Sequence, residues 1–370
     1  MSVVYNKTPL LRKVFQNTST TNQLNKIVPQ FFLKYECLQP SGSFKSRGIG
    51  NLILKNATLI NKKGLKKPHI FASSGGNAGF AAATACKTLN LPCTVVVPTA
   101  TKKRMVEKIS DTGAKVIING AHWKEADTFL KQNVMNKIDS NSIEPIYVHP
   151  FDNPQIWEGH STLVDEIIET LQSQKININK IKGIVCSVGG GGLYNGIIQG
   201  LEKYNLADKI PIVGVETKGC HVFNTSLKLN KVVQFDKITS IATSLGTANI
   251  SDKTFEYAKK YNTRSVVVDD IDVIETCLKY TQSSNMVTEP ACGAAIHMAY
   301  HTDILENALG HKLASDDIVL IIACGGSSNT VSDLESTLMK LKQEKNIKKN
   351  IALSETLTEG EKHSLRLKNI

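Results

Sequence analysis

Three features that would each define a class of protein are missing from this sequence of 370 residues. No apolar run approaches the ~20 residues of a membrane-spanning helix, so we do not expect an integral membrane protein. The eight cysteines never form a C-x-x-C pair and no secretory hydrophobic segment opens the chain, which predicts free thiols in a reducing compartment. No Walker sequence is present either, which argues against ATP hydrolysis.

Acidic residues are scarce at the amino terminus, where none precedes Glu36, and the formal net charge is +11. Such an excess fits a nucleic-acid partner, an anionic ligand or solvated surfaces, and we favour solvated faces plus a loosely ordered tail from Lys340 onward. The basic, Ser/Thr-rich start also fits a mitochondrial targeting segment. We therefore expect a mitochondrial protein, with the cytoplasm as the alternative.

Runs of valine and isoleucine recur along the chain, each followed by a glycine or small-residue turn and then a helical segment. They predict strands that end at Ala72 and near Ile118, with a helix from about Thr101 between them. Because such runs are typical of strands buried on both faces, we expect an α/β protein with parallel or mixed sheets and flanking helices. The alternation is too long for one compact sheet, which predicts two open-sheet domains with a ligand cleft between them.

Four consecutive glycines, Gly189 to Gly192, stand between a predicted strand and a predicted helix. Amides without side chains at the positive end of a helix can converge on one anion, which predicts a phosphate-binding loop. The G-x-G-x-x-G pattern is absent. However, Glu216 lies at the next strand end, where a dinucleotide-binding protein places an acid, so a dinucleotide site stays open as a second interpretation.

Three further segments are candidates for chemistry. The loop SSGGNAG, from Ser73 to Gly79, suits a small carboxylate, although a helix N-cap explains it equally well. Cys324 ends a strand, where it is by itself typical of a core cysteine. Lys45 in SGSFKSRG is flanked by residues too small to shield its amine. Near an anchored phosphate this lysine suggests a Schiff base with pyridoxal phosphate, and a surface lysine is an equal alternative.

The motifs KYECLQPSGSFKSRG, ASSGGNAG, SVGGGGL, EPACGAA and IACGGSSN occur in this order. Together they resemble those of the serine/threonine dehydratases, which belong to the β-family (fold type II) of pyridoxal-phosphate enzymes. Among the dehydratases, the resemblance is strongest to the fungal catabolic L-serine/L-threonine deaminases. The resemblance runs from Thr8 to about Leu334. It implies a tryptophan-synthase-β-like fold with the active site in the interdomain cleft. The implied units are a large cofactor-binding domain, a small substrate domain and a polar tail: residues 1–41 with 156–335, 42–155, and 336–370.

The resemblance also implies roles for single residues. Lys45 would form the Schiff base and later act as the general base, while the cofactor ring would lie between Phe44 and Ser244. The implied cofactor-binding residues are Lys45, Phe44, Asn77, Gly189, Gly190, Gly191, Gly192, Leu193, Ser244 and Cys324. The implied substrate-binding residues are Ser74, Gly75, Gly76 and Asn77. The positions that match those around a potassium ion are Glu216, Cys220, Leu245 and Thr247. Some relatives have alanine at position 75, so we expect Gly75 to widen the room beside the substrate.

The activity implied by the resemblance is β-elimination from L-serine to give pyruvate and ammonia, and from L-threonine to give 2-oxobutanoate and ammonia. It belongs to amino-acid catabolism and gluconeogenesis, in a homodimer that needs neither nucleic acid nor a membrane. Serine racemase is the nearer alternative, and a dinucleotide-dependent dehydrogenase or a nucleic-acid binder the more distant one. We assign none of the nine histidines a catalytic role. Binding of the substrate is expected to close the two domains.

Overall fold

A computed structural model describes residues 4–15 and 28–356 of the chain. The basic start that predicts a targeting segment lies partly outside these residues. All eight cysteines are free, and all except Cys37 are buried. No helix in the described part of the chain combines the length and the apolar character needed to span a bilayer.

The described residues form ten strands in two separate sheets. The larger sheet has six strands in the order β1-β2-β10-β7-β8-β9, and β1 is its antiparallel edge, while the remaining neighbours pair in parallel. Its strands are β1 (Leu10–Lys13), β2 (Gln30–Tyr35), β7 (Ile181–Ser187), β8 (Ile212–Thr217), β9 (Thr263–Val268) and β10 (Ile318–Ala323). Every residue of β8 and β10 is buried, as expected for parallel strands covered on both faces.

In the part of the chain that the structure describes, eight α-helices surround the larger sheet. Helices α5 and α6 pack on each other, and α10 packs on the central strands β10, β7 and β8. These helices are α5 (Pro154–Ser173), α6 (Gly192–Lys203), α7 (Val222–Leu229), α8 (Asp252–Lys260), α9 (Asp270–Ser284), α10 (Pro290–Tyr300), α11 (Thr302–Leu309) and α12 (Val331–Thr356).

The smaller sheet has four parallel strands in the order β5-β4-β3-β6. Its strands are β3 (Lys67–Ala72), β4 (Cys93–Val97), β5 (Lys115–Ile118) and β6 (Ile143–Val148). Its helices are α1 (Lys45–Lys63), α2 (Asn77–Leu89), α3 (Lys103–Ser110) and α4 (Trp123–Phe129). Because α2 presents buried alanines to the sheet, its backbone can approach β3 and β4 closely. The two-sheet α/β architecture predicted from the sequence is therefore confirmed, whereas the domain boundaries stay a prediction.

One expectation about order was wrong. The segment predicted as a loosely ordered tail from Lys340 continues α12 as far as Thr356, and the rest of it lies outside the described residues. Leu334, Leu338 and Leu341 are spaced for one helix face, and they pack against the core of the larger sheet. These contacts anchor α12 as far as Leu341, and the lysine-rich residues 342–347 continue the helix with exposed side chains.

A buried ionic network joins α1 to the larger sheet. Arg47 on α1 donates from Nε to Glu36 and from Nη1 to Glu166 on α5, each at 2.7 Å. Lys34 on β2 also donates to Glu166, and the hydroxyl of Thr8 donates to Glu36 at 2.6 Å. The two cations and two carboxylates have side chains at most 9% exposed, so their charges compensate one another inside the protein. This network fixes the helix that begins with Lys45.

Candidate active site

The chain places Lys45 beside the end of β10 through backbone contacts. The amide of Phe44 donates to the carbonyl of Cys324 at 3.0 Å, and Ser43 forms an isolated antiparallel bridge with Gly325. Lys45 is the first residue of α1 and Cys324 directly follows β10. Two residues 279 positions apart (324 − 45), each singled out in the sequence, are thus brought to the same edge of the larger sheet.

The amine of Lys45 is enclosed by protein. Its Nζ donates to the carbonyl of Pro150 and lies 5.2 Å from the centre of the Phe44 ring. Burial lowers the pKa of Lys45 to about 8, against an ordinary value of 10.5, although Cys324 and Glu289 oppose the shift. A larger share of this amine is therefore unprotonated near neutral pH than in a solvated lysine, as a nucleophile or a general base requires.

The glycine loop between β7 and α6 has no room for side chains. A Cβ at Gly190 would lie 2.3 Å from the ring of Phe151, and one at Gly191 would lie 1.8 Å from the hydroxyl of Thr254. Gly191 also has a φ of +97°, in the left-handed region that favours glycine. Within the described residues, no protein acceptor takes a hydrogen bond from the amides of residues 189–191.

These free amides are continuous with the first turn of α6, whose amides at Gly192 and Leu193 have no partner inside the helix. A run of unpaired N–H groups at the positive end of a helix suits a phosphate. The loop therefore fits the phosphate of pyridoxal phosphate on steric and electrostatic grounds. The amine of Lys45 and the side chain of Asn77 fit the rest of that cofactor chemically.

The loop before α2 is fixed by one hydrogen bond to α4 and by another within the loop itself. The hydroxyl of Ser73 donates to Asp127 at 2.6 Å, and the amide of Gly76 donates to the hydroxyl of Ser74 at 3.2 Å. Gly75 does not widen the site as expected. A Cβ there would lie 2.1 Å from Oγ1 of Thr101, so a neighbouring side chain already fills the space that alanine would use.

Asn77 contacts both halves of the molecule. Its Nδ2 donates to Glu289 at 2.7 Å and lies 3.5 Å from the hydroxyl of Ser244, and its Oδ1 accepts from the amide of Ser327 at 3.0 Å. Ser244 itself is exposed. The structure therefore brings together Asn77 and Ser244, two residues that the resemblance implies on the cofactor.

Glu289 was not predicted as a residue of the site, although the motif EPACGAA contains it. This carboxyl group is buried and accepts hydrogen bonds from Asn77 and, at 2.7 Å, from the hydroxyl of Ser328. Burial raises the pKa of Glu289, and its hydrogen bonds with Ser328, Ser244 and Asn77 oppose the shift. The signal was an acidic residue directly before Pro290 at a helix start, which is normally explained as capping.

Cys324 is buried, and its Sγ lies 3.8 Å from the carbonyl of Gly325. The adjacent thiol of Cys292, together with burial, raises the pKa of Cys324 well above that of an ordinary thiol. The side chain is therefore a neutral thiol, suited to contact with a pyridine nitrogen and not to nucleophilic attack.

Two histidines adjoin the site, although we assigned no histidine a role. His160 is buried with neither ring nitrogen bonded to any described residue, and its ring lies 4.9 Å from that of Phe44. Nδ1 of His149 accepts from the amide of Asp152 at 2.8 Å. Burial and the nearby charge of Lys45 lower the pKa of His149 to about 4, so it is neutral at physiological pH. Isolated histidines give no sequence pattern that could have identified them.

The four positions matched to a cation site are linked in the structure, since Glu216 acts on the pKa of Cys220 and the amide of Thr247 donates to the carbonyl of Leu245 at 2.9 Å. Cys220 and Leu245 share a small buried cluster, and Oγ1 of Thr247 is buried without a partner among the described residues. The carboxylate of Glu216 accepts from the amides of Phe223 and Asn224, at 2.8 and 2.7 Å. Burial raises the pKa of Glu216 to about 8. Within the described residues no group of three His, Cys, Asp or Glu side chains could hold a metal ion.

The contacts of Glu216 also bear on the dinucleotide interpretation. Both of its oxygens accept from amides in the first turn of α7, so the carboxylate is not free to bind a ribose. Neighbouring residues link Lys45 to the glycine loop, since Lys45 contacts the carbonyl of Pro150 and the ring of Phe151 packs against Gly190. An enclosed lysine amine at the start of a helix, near a glycine loop suited to phosphate in a protein with two open sheets, defines an enzyme of the fold-type II pyridoxal-phosphate class.

Comparison with known proteins gives the family. The family described as "Pyridoxal-phosphate dependent enzyme" matches residues 3–325, and the chain belongs to it. This membership confirms the predicted cofactor and fold class, and it favours pyridoxal-phosphate chemistry over the dinucleotide-dependent dehydrogenase.

Three of the similar proteins align with this chain over most of their length. The catabolic L-serine/threonine dehydratase of Saccharomyces cerevisiae is 74% identical over 343 residues, 93% of each chain. An L-serine dehydratase of Dictyostelium discoideum is 38% identical over 84% of this chain and 86% of its own. The crystal structure of a fungal L-serine ammonia-lyase from Rhizomucor miehei superposes with a TM-score of 0.76 at 29% identity, covering 91% of this chain and 98% of that one.

Proposed function

We propose that this protein is an L-serine/L-threonine ammonia-lyase that converts L-serine to pyruvate and ammonia and L-threonine to 2-oxobutanoate and ammonia. The observation that carries the proposal is the enclosed amine of Lys45, with its lowered pKa, in a chain 74% identical to a dehydratase that acts on these two amino acids. Pyridoxal phosphate, when bound, supplies an aldehyde for the substrate's amino group and a conjugated system that stabilises negative charge at Cα.

Lys45 has two tasks in this proposal. It holds the cofactor covalently between turnovers, and during a turnover its free amine takes the proton from Cα of the substrate. The lowered pKa supports the second task because an amine that is protonated at working pH cannot accept a proton. The contact with the Pro150 carbonyl gives the amine a fixed position when it is not covalently engaged.

The remaining residues bind and orient. The amides of residues 189–193 would hold the phosphate, and the side-chain amide of Asn77 would donate to an oxygen on the cofactor ring. The loop of Ser74, Gly75 and Gly76 at the start of α2 holds the carboxylate of the substrate, since loop and helix amides both favour an anion there. The neutral thiol of Cys324 cannot enforce a proton on a ring nitrogen as a carboxylate does, which favours prompt loss of the β-hydroxyl.

Borohydride reduction of the cofactor-loaded protein, followed by peptide mapping, tests the proposal. We expect a single pyridoxyl group on Lys45 and release of pyruvate from L-serine and 2-oxobutanoate from L-threonine. Lys45→Ala is expected to lose both activities. A pyridoxyl group on another lysine, or a wild-type enzyme that leaves L-serine intact, would refute it. Chiral analysis of the serine pool separates deamination from racemisation, because a racemase would accumulate D-serine.

We further propose that the protein acts as a homodimer and binds potassium at Glu216, Cys220, Leu245 and Thr247. The family resemblance supports both proposals. Light scattering at micromolar concentration measures the mass, for which a dimer is twice 40.5 kDa. Exchange of potassium for lithium at constant ionic strength is expected to lower activity, and equal activity in both salts would contradict a cation site.

The compartment is proposed from the sequence alone. The basic, acid-free start supports a mitochondrial location, with the cytoplasm as the alternative. There the pyruvate formed from serine would enter amino-acid catabolism and gluconeogenesis. Imaging of the full chain with a fluorescent protein at its carboxyl end, with and without the first residues, distinguishes the two compartments.

A further inference from the structure

Basic side chains of the small-sheet half reach across to the segment that follows Cys324. Arg104 on α3 donates from Nη2 to the carbonyl of Ser328 and to Asp333, the latter at 3.0 Å. Lys102, directly before α3, donates to the same carbonyl at 3.1 Å. Lys108 on α3 donates to the carbonyl of Ser327 at 3.1 Å. We call residues 327–333 the bridging segment, because three cations from the other half of the molecule hold it.

The acceptor side of this contact is preorganised. Asp333 accepts from the amide of Thr330 at 3.0 Å, and its own amide donates to the hydroxyl of Thr330 at 3.1 Å, so it also fixes the start of α12. That backbone hydrogen bond, together with Arg104 and Lys102, lowers the pKa of Asp333 to about 2. The carboxylate is therefore charged at any working pH. Arg104 and Asp333 are each about one-third exposed, at 33% and 35%, so dissolved salt can screen the pair.

The bridging segment also contacts residues of the proposed site. The amide of Ser327 donates to Asn77 at 3.0 Å, and the hydroxyl of Ser328 donates to Glu289 at 2.7 Å. Gly326 lies against the same carboxyl group, since a Cβ there would be 1.9 Å from Cδ of Glu289. A displacement of the bridging segment would therefore move Asn77 and Glu289, and it would loosen the chain directly after Cys324.

The cationic side of the contact reaches the substrate loop as well. Thr101, three residues before Arg104, occupies the space beside Gly75. The stretch 101–108 thus packs against the loop proposed to bind the substrate carboxylate and at the same time holds the bridging segment. These contacts run from one sheet unit to the other and enclose the cleft on one side.

We propose that Arg104 is a positioning residue that holds the substrate loop and the bridging segment together when the cleft is closed. This rests on the proposed deaminase function. Arg104 does not touch the reacting atoms. It acts through Ser328 and Asp333, and it favours the arrangement in which Asn77, the loop at Gly75 and Cys324 surround the substrate. Loss of the guanidinium favours the open arrangement, so substrate binding has to supply the missing free energy of closure.

The test compares Arg104→Ala, Arg104→Lys and the control Lys103→Ala in the cofactor-loaded enzyme. Lys103 lies on the same helix, its side chain is 91% exposed, and it pairs with Glu107 one turn further along α3. We expect Arg104→Ala to raise KM for L-serine roughly tenfold, as for the loss of a charge-assisted hydrogen bond, with kcat within about twofold of wild type. Arg104→Lys recovers part of the loss, because a lysine keeps the charge without the planar fork. Lys103→Ala leaves both constants unchanged.

Salt dependence provides a readout that a merely structural role would not move. At fixed potassium, choline chloride raised from 0.05 to about 0.5 M is expected to increase KM of wild type and Lys103→Ala. The increase is expected to be smaller in Arg104→Ala, where only Lys102 and Lys108 still hold the bridging segment. If Arg104→Ala does not fold, Lys108→Ala is expected to give a smaller change in the same direction. A KM for Arg104→Ala equal to that of Lys103→Ala, or a salt dependence in Arg104→Ala as large as in wild type, overturns the proposal.

Hydrogen exchange separates this proposal from the proposed function because it needs no turnover. In the holoenzyme, amides of the bridging segment and of the loop 74–77 are expected to exchange faster in Arg104→Ala than in Lys103→Ala. If wild type fails to release pyruvate but these amides still respond to Arg104, the deaminase function is refuted and the positioning role stands. Equal exchange in the two variants refutes the positioning role whatever the activity.

Discussion

A lysine amine enclosed in a cleft titrates differently from one in water, and at the residue scale this difference decides what Lys45 can do. Exclusion of water destabilises the ammonium form more than the neutral amine, so the pKa falls. The nearby carboxyl group of Glu289 opposes the fall, and the pKa is left at about 8. Neither effect can be read from SGSFKSRG, which shows only that small residues surround the amine.

The first prediction concerns this titration. In the cofactor-free protein, we expect the rate at which an amine reagent labels Lys45 to reach half its maximum near pH 8. The rate rises with pH because only the unprotonated amine reacts. Mass spectrometry of the peptide that contains Lys45, after short labelling pulses between pH 6 and 11, measures it. Half-maximal labelling near pH 10.5, the ordinary pKa of a lysine, would show that burial does not lower the pKa of Lys45.

The second prediction concerns the glycine loop. Gly190→Ala is expected to weaken binding of pyridoxal phosphate at least about tenfold, because the new Cβ would overlap the ring of Phe151 and displace the amides of the loop. Titration of the cofactor-free protein with pyridoxal phosphate, followed by absorbance, measures the affinity.

Two further variants test the steric reason. Gly183→Ala on β7 is the control, since a Cβ there meets nothing closer than the side-chain end of Leu309 at 3.3 Å. Gly190→Ala combined with Phe151→Leu is expected to recover part of the affinity, because the smaller side chain makes room. An unchanged affinity in Gly190→Ala would show that the loop tolerates a side chain.

At the element scale, the position of α1 depends on charges that are far from the chemistry. Burial alone would raise the pKa of Glu166, but the hydrogen bonds and charges of Arg47 and Lys34 lower it below its ordinary value. A carboxylate with a depressed pKa contributes stability that is fully present above its unfolded pKa, near 4.5, and is lost as pH falls below that value. The network is therefore expected to fix α1 less firmly at acid pH.

The third prediction follows from this coupling. Glu166→Gln is expected to lower the free energy of unfolding at pH 7 by about 3 kcal/mol, because it leaves the buried cations Arg47 and Lys34 without full compensation. The difference from wild type is expected to shrink as pH falls below about 4.5, where wild type begins to lose the same charge. Urea unfolding at pH 7 and pH 4 measures both quantities.

Glu169→Gln on the same helix is the matched control. Glu169 pairs with Lys7, and both side chains are more than half exposed, at 66% and 59%. Loss of such a pair is expected to change the free energy of unfolding by less than about 0.5 kcal/mol. Equal effects of the two substitutions would show that the buried network contributes no more than a surface ion pair.

At the scale of the whole molecule, two open sheets meet along a cleft, and the site takes residues from both. The glycine loop and Cys324 belong to the larger sheet, whereas the loop at Gly75 belongs to the smaller one. A ligand that contacts both sides stabilises the arrangement in which they approach, since it binds that arrangement more tightly.

The fourth prediction is therefore closure on ligand binding. L-alanine has no leaving group on its β-carbon, so it can occupy the site without elimination. We expect it to reduce the radius of gyration of the cofactor-loaded enzyme, as measured by small-angle X-ray scattering. Asn77→Ala, which removes contacts with Glu289 and Ser327, is expected to reduce the change. Identical scattering with and without L-alanine would contradict closure.

Much of the fold could be predicted because its signals are local. Valine and isoleucine runs indicated buried parallel strands, and the predicted strand ends at Ala72 and Ile118 coincide with the ends of β3 and β5. The helix expected from about Thr101 begins at Lys103. The glycine run and Lys45 could be recognised in the sequence because four consecutive glycines, or a single amine among small residues, are unusual patterns.

The errors arose where distant residues meet. Gly75 suggested extra space because the sequence does not show that Thr101 lies beside it. Glu289 suggested helix capping because the sequence does not show that Asn77 donates to it. The lysine-rich segment from Lys340 suggested loose order, whereas it continues a helix whose leucines at 334, 338 and 341 pack on the core of the larger sheet. In each case a contact between residues far apart in sequence decided the outcome.

The sequence by itself determined the α/β class, and it marked the glycine run Gly189 to Gly192 and the amine of Lys45 as candidates for chemistry, because backbone freedom, hydrophobic periodicity and side-chain chemistry are properties of short segments. Only the tertiary structure decided that β10 lies between β2 and β7, which places Cys324 beside Phe44 and Lys45. It alone also decided the pairing of Asn77 with Glu289 and the hold of Arg104 on the bridging segment. Strand order and long-range hydrogen bonds depend on how whole elements pack, and a local pattern contains no record of that packing.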